Sequence, residues 1–285
     1  MIRIGLVGGA KDWHGMTFSE LFNGYDQKLA KKYQWPALCK TPLGENAGIT
    51  HIWDKNVENA KEVASVCGIE NVVAEKEAML GEVDAVILPD DCTLKHQRNA
   101  IPFLKAGLPT FVDKPLAPNL REAEEIVRLA RRHKAPFMSC SALRYARETE
   151  DLRKGRGDDI GDILTGYAVC CEWTGKLIFY GIHALELLYS IVGPGVKSFQ
   201  NLGKKTEDLL LLRYRDGRKF MVAAYEGISP TFQVHLYGTR GSRSIVVRDS
   251  EYFYSEMLRA FIGMVKTGKE PICLEETLEI IKILE

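Results

Sequence analysis

The sequence has no surplus of charge of either sign: Lys and Arg number 38, Asp and Glu 38, and the formal net charge is zero. A general binder of nucleic acid or of an anionic membrane surface would show a basic excess, so composition argues against both. Long apolar runs are lacking too, which removes a membrane-spanning helix from the expectations. The N-terminus enters a short apolar segment directly, without the pattern of a signal peptide. The seven cysteines are odd in number and scattered, Cys170 stands beside Cys171, and no pair has metal-ligand spacing. Reduced thiols that mostly pack, in a cytoplasmic protein without a metal site, are the expectation. No repeat, low-complexity tract or long linker interrupts the chain.

At 285 residues the chain can form one large domain or two ordinary ones. Residues 2–7 form a short apolar segment followed by Gly8-Gly9. Helical spacing of Phe18, Leu21, Phe22, Tyr25 and Leu29 predicts a helix over 16–29. A strand over 49–53 ends on Asp54, and Val57, Ala60, Val63 and Ala64 suit one face of a helix. Residues 83–88 read as a buried parallel strand. A helix over 94–106 stops at Gly107, strand 108–112 follows, then an amphipathic helix over 119–133 and a strand over 136–140. This alternation predicts a parallel sheet covered by helices.

After about residue 142 the rhythm changes. A long strand over 163–171 is followed by a buried helix over 181–192. Two strands flank Asp216-Gly217 as a hairpin, and two more surround Gly238-Thr239-Arg240-Gly241. Helices are expected over 254–267 and from 274 onward. Neighbouring strands of this kind suggest a mostly antiparallel sheet. The predicted division is 1–141 and 142–285.

The strand before Asp113-Lys114-Pro115 should stop at the proline, which lacks an N–H. Lys114 would then stand at the carboxyl edge of a parallel sheet, where ligands bind. A surface lysine in a loop is the plainer alternative. Gly8-Gly9-Ala10 lies where a dinucleotide pyrophosphate would meet a strand-to-helix turn, although the loop is longer than G-x-G-x-x-G. His14, Thr17 or Ser19 could supplement backbone donors to phosphate, and His14 could equally face solvent. Asp54 suits the adenosine ribose hydroxyls and would repel the 2′-phosphate of NADP; it could also cap the next helix. Pro89-Asp90-Asp91 follows a strand, and its adjacent acids read as helix caps rather than metal ligands.

With these motifs in place the chain resembles the Gfo/Idh/MocA family of oxidoreductases over nearly its whole length. His96, Ala106-Gly107 and Asp113-Lys114-Pro115 look like the family's His…Ala-Gly…Glu-Lys-Pro segment, with Asp for Glu. Ala142-Leu143-Arg144-Tyr145, Ile160-Gly161-Asp162-Ile163, the helix Gly181-Ile182-His183-Ala184-Leu185-Glu186 and the turn Tyr237-Gly238-Thr239-Arg240-Gly241-Ser242 resemble four further family segments in the same order. The resemblance implies an N-terminal Rossmann domain, doubly wound, and a C-terminal α/β domain with a large, mostly antiparallel open sheet. It implies NAD(P) as cofactor, with Asp54 favouring NAD over NADP, and hydride exchange with a sugar or polyol in a cleft between the domains. Lys114 and His183 would be catalytic. Gly8, Gly9, Ala10, His14, Asp54, Pro89, His96, Asp113, Lys114 and Arg144 would contact the cofactor. The open sheet needs cover, so a homodimer or homotetramer is expected, without nucleic-acid or membrane partners.

The family's dehydrogenases carry an aspartate one helical turn before the histidine, where this chain has Phe179. Tyr180 could replace the acid as a proton relay or could simply pack. Lys176 and Glu186 share helical spacing with His183, and Glu186 is a candidate partner for it. Arg144 could touch cofactor or substrate, or bridge the domains, and Trp173 could stack on a sugar or belong to the core. Two other functions fit the same residues: an NAD(P)-binding sensor that turns nothing over, and an enzyme using transient oxidation for a non-redox outcome.

Overall fold

Alternating apolar strands and amphipathic helices build a six-stranded parallel sheet from the first half of the chain. Its strands are β1 (Ile2–Val7), β2 (Ala47–Trp53), β3 (Asn71–Val72), β4 (Ala85–Leu88), β5 (Thr110–Val112) and β6 (Phe137–Met138). They lie in the order β3-β2-β1-β4-β5-β6, and every pairing is parallel. Strand order reverses between β1 and β4, the switch point at whose carboxyl ends such sheets bind ligands. The connecting helices are α1 (Trp13–Asn23), α2 (Gln27–Lys32), α3 (Val57–Cys67), α4 (His96–Lys105) and α5 (Leu120–His133). The computed structural model describes residues 1–35, 37, 41–90, 96–172, 177–204 and 206–285. Asp91, Trp173 and Lys176, which the sequence singled out, lie outside the described residues.

The single helix expected over 16–29 is two. Gly24, at φ 74°, ends α1, and Asp26 starts α2 by accepting the Lys28 and Leu29 N–H groups. A left-handed glycine satisfies the carbonyls at a helix end at little steric cost, which periodicity alone does not reveal. Helix α5 buries Ala123, Ile126, Val127 and Ala130, as its spacing predicts, and is capped by Asn119 accepting from Glu122 N.

The second sheet holds β7 (Ile163–Glu172), β8 (Val196–Asn201), β9 (Glu207–Tyr214), β10 (Lys219–Glu226), β11 (Phe232–Gly238) and β12 (Ser242–Val246). Its order is β12-β11-β7-β10-β9-β8. One ladder, β7 with β10, is parallel and the other four are antiparallel. The β9–β10 hairpin turns at Gly217, φ 92°, with Asp216 Oδ1 accepting Arg218 N. Strand β8 escaped the sequence reading because five of its six residues are exposed and no apolar alternation marks it. The short helix α6 (Glu150–Arg153) precedes β7, and α7 (Leu177–Val192) packs on β7, β10 and β11. Helices α8 (Ser250–Thr267) and α9 (Leu274–Leu284) follow the sheet.

Contacts divide the chain into one unit of Met1–Ser139 with Leu258–Leu274 and another of Cys140–Met257 with Glu275–Glu285. The sequence reading assigned everything after 142 to one domain. Leu258–Leu274 instead clusters with the first unit, and aromatic packing gives the reason. Phe261 is fully buried with its ring 5.9 Å from that of Phe111 on β5. Phe111 in turn lies 6.0 Å from Phe18 of α1.

The second unit is held inside by charge. Arg144 Nε donates to Glu186 Oε2 at 2.6 Å, and its Nη2 lies 2.6 Å from Glu276 Oε1, off the angle of a hydrogen bond. Burial works against the guanidinium's charge, but Glu186 and Glu276 outweigh it and raise the Arg144 pKa further. Burial raises the Glu186 pKa, only partly offset by Arg144. On α9, one oxygen of Glu279 accepts Tyr189 Oη at 2.8 Å, Gly195 N at 2.8 Å and Val196 N at 3.0 Å.

Among the described residues no helix is long and apolar enough to cross a membrane, and no group of His, Cys, Asp and Glu could hold a metal ion. Cys67, Cys140, Cys170 and Cys171 are buried free thiols, and Cys273 is exposed.

Two substitutions test this packing by urea unfolding of the whole chain. Phe261→Ala should cost about 3–5 kcal/mol by opening a cavity beside Phe111. Arg144→Ala should cost about 3–5 kcal/mol because it strands buried carboxylates, whereas Glu186→Gln should be much milder, since Glu276 still faces the guanidinium.

Candidate active site

Strand β5 pairs through Val112, and Asp113 N still donates to Leu88 O at 2.9 Å before Pro115 ends the ladder. Lys114 follows at the carboxyl edge and is 5 % exposed, so it is no surface lysine. The Lys114-Pro115 peptide bond is cis. Asp113 is 1 % exposed, and its Oδ2 lies 2.5 Å from Nδ1 of His14. His14 is itself buried, with its ring stacked on Phe18 at 5.4 Å and 8°. It therefore faces neither solvent nor, through Nδ1, a phosphate: that nitrogen serves Asp113. Ser19 also departs from its expected place, because its hydroxyl donates back to Gly15 O at 2.7 Å. Thr17 is buried, and its Oγ1 has no hydrogen-bond partner among the described residues.

The glycine loop is tight. Gly8 and Gly9 take φ of 76° and 59°. A Cβ on Gly9 would lie 2.8 Å from Asp90 Cα, and one on Gly15 would lie 2.0 Å from Gly9 O. Backbone thus packs on backbone where the loop crosses the end of β4 and where α1 leaves it, and only glycine permits that approach. Ala10 is fully buried and its N–H donates to Asp54 Oδ2 at 2.8 Å. The other oxygen, Oδ1, accepts Asn56 N at 2.8 Å. Asp54 is not the cap of α3; Asn56 is, through Glu58 N at 3.1 Å.

His96, also expected among the cofactor ligands, is fully buried with both ring nitrogens turned to main-chain carbonyls. Nε2 meets Asp90 O, and Nδ1 lies 3.2 Å from Leu116 O. Its visible work is to tie the segment after β4 to the segment after β5. Pro89 and Asp90, in the first of these segments, are buried.

In the second unit His183 sits on α7, which is set against β7 by the contact of Cys170 Sγ with Tyr180 O at 3.4 Å. Its Nδ1 lies 2.7 Å from Ser141 Oγ. The rings of Tyr180 and Phe232 meet it edge-on, each at 5.4 Å and at 69° and 63°. Tyr180 thus walls the imidazole. Glu186, the expected partner of His183, turns to Arg144 instead. Arg144, expected at the cofactor, is committed to Glu186 and Glu276 within its own unit. Ser141 was missed by sequence reasoning. A serine preceding the arginine-aromatic segment carries no signal until the fold brings α7 beside it.

Residues 21–140 match the model of the Gfo/Idh/MocA oxidoreductase family, NAD-binding Rossmann fold. The match begins after β1 and the glycine loop, where this chain departs most from G-x-G-x-x-G. No curated protein sequence matches. Among solved structures, the fold is similar to a probable dehydrogenase from Thermotoga maritima at TM-score 0.80 and 17% identity, covering 98% of this chain and 93% of that one. It is similar to myo-inositol 2-dehydrogenase from Lactobacillus plantarum at TM-score 0.80 and 16% identity, covering 99% and 95%. It is also similar to scyllo-inositol dehydrogenase from Lactobacillus casei, solved with NAD(H) and scyllo-inositol, at TM-score 0.78 and 15% identity, covering 99% and 94%. At such identities the likeness concerns the fold, and it extends over both units. Residues 21–140 thus resemble the NAD-binding Rossmann segment of the Gfo/Idh/MocA oxidoreductases, and the chain shares its fold with these dehydrogenases.

Proposed function

We propose that this protein is an NAD-preferring oxidoreductase that exchanges a hydride with a sugar, a polyol or a derivative of one. The observation that carries the reading is Lys114, a buried cation-forming side chain at the carboxyl edge of a parallel sheet, beside the Asp113–His14 pair. The sugar or polyol part of the reading is supported by the names of structural neighbours, a myo-inositol 2-dehydrogenase and a scyllo-inositol dehydrogenase.

The residues present fit a dinucleotide. The left-handed Gly8-Gly9 turn brings backbone close to where a pyrophosphate would lie, at the start of α1. Gly8, Gly9, Ala10 and Asp54 would hold the adenosine and diphosphate end, with Pro89 toward the nicotinamide. Each Asp54 oxygen holds one backbone N–H and keeps a second lone pair for a ribose hydroxyl. The same carboxylate repels a 2′-phosphate, which is the basis for preferring NAD over NADP.

Bound NAD supplies the hydride acceptor. The protein must do the rest: orient the substrate carbon, exclude water and take the hydroxyl proton as the C–H and O–H bonds break and the C=O bond forms. Lys114, as the neutral amine, takes that proton and becomes an ammonium. His183 holds the oxygen on which negative charge develops. A second copy covering the outer face of the β7–β12 sheet would bury exposed Met221 and Tyr237, so we extend the proposal to a homo-oligomer. Phe179, in place of the family's acid, favours one other reading, a nucleotide-binding regulator without turnover.

Titration with NADH and NADPH by fluorescence should show NADH binding at least about tenfold tighter, a difference of about 1.4 kcal/mol. Asp54→Ala should erase most of that preference. Lys114→Ala should keep NADH binding and lower turnover of the responsive polyol about 10²–10⁴-fold. Failure to bind either nucleotide would sink the proposal; binding without turnover across a broad sugar and polyol panel would leave the regulator reading in its place.

A further inference from the structure

Ser141 precedes the 3-10 turn Ala142–Tyr145 and is completely buried. Its Oγ accepts the Leu143 N–H at 3.2 Å and lies 2.7 Å from His183 Nδ1. A serine hydroxyl has one proton to give and two lone pairs to offer. Leu143 takes one lone pair. If Nδ1 carried the imidazole proton, it would take the second, and the hydroxyl proton would then be buried without an acceptor among the described residues. Leaving a buried donor unmet is the costly arrangement. If instead the hydroxyl donates to Nδ1, all these groups are satisfied at once. The imidazole proton must then reside on Nε2.

We infer that Ser141 is a positioning residue that holds His183 as the neutral Nε2–H tautomer, a donor toward the substrate oxygen rather than the base that takes its proton. This rests on the oxidoreductase reading for its chemistry, but the tautomer itself follows from the hydrogen bonds. A carboxylate at Nδ1 would do the opposite: it would accept Nδ1–H and favour the imidazolium. Phe179 fits this arrangement, since the acid that would charge the ring is replaced by an aromatic, and a hydroxyl from another segment takes Nδ1.

The surroundings of the ring agree. Tyr180 from its own helix and Phe232 from β11 present ring edges, and a phenol brings no charge at neutral pH. Glu186, three residues on, is committed to Arg144. From β7, packed on the same helix, Cys170 places its thiol on the Tyr180 carbonyl, and Glu172 is the buried carboxyl at that strand's end. Charging His183 would put a proton on Nδ1 and force the Ser141 hydroxyl to give up its acceptor. The ring should therefore stay neutral through the range in which a free imidazole titrates.

Long-range ¹⁵N–¹H spectra of the labelled full-length protein test this, with His183→Gln assigning the signal. The wild type should show an Nε2–H imidazole from about pH 8 down to about pH 6, without titrating. Ser141→Thr should preserve that pattern. Ser141→Ala should release the ring to titrate, and Ser141→Asp should shift its titration upward by about one unit or more and add the same step to the pH profile of kcat/KM. Glu172→Gln should leave the tautomer unchanged. An Nδ1–H signal or a charged ring at neutral pH in the wild type would overturn the inference, as would an unaltered spectrum in Ser141→Ala. These readings need no turnover, so they stand apart from a failure to bind NADH or to oxidise a polyol, which would overturn the oxidoreductase reading alone.

Discussion

A buried carboxylate needs a donor, and for Asp113 that donor is His14. Without it the buried acid at the end of β5 would lose its histidine donor, a costly loss for a carboxylate out of water. The bond joins the start of the first helix to the end of the fifth strand. Two further clamps work at the same edge. Asp54 holds the glycine loop through Ala10, and His96 pins the segments after β4 and β5 through their carbonyls. Side chains that might have been free for ligand are in part the frame on which the ligand edge is built.

The second unit follows the same logic with more charge. Arg144 gathers carboxylates from two distant helices, and its neighbour Ser141 reaches the histidine of one of them. Two side chains of α7 thus turn to different partners. Glu186 faces inward to hold the unit together, while His183, one turn earlier, meets the Ser141 hydroxyl through Nδ1.

Local rules carried far. Continuous apolar runs gave the parallel strands, Asp216-Gly217 gave the hairpin, and the strand ending at Asp113-Lys114-Pro115 placed the lysine at the sheet edge. What remained hidden was pairing across long stretches of chain. His14 and Asp113 are 99 residues apart, and Ser141 and His183 are 42 apart. No spacing rule couples such positions, so His14 read as a phosphate helper and Glu186 as the partner of His183. Short or exposed strands were hidden for another reason. Asn71–Val72 and Val196–Asn201 owe their extended form to the neighbouring strand, not to their own side chains.

The return of Leu258–Leu274 to the first unit sets an order on folding. The parallel sheet is translated early, yet Phe111 meets Phe261 only after the whole second sheet has been synthesised. The second unit waits as well, because Glu276 and Glu279 both lie on α9. Neither half can complete its interior while the ribosome is still making the other. For a nascent chain this means a long interval with an aromatic face of the first sheet uncovered, and a premium on whatever shields it until α8 arrives.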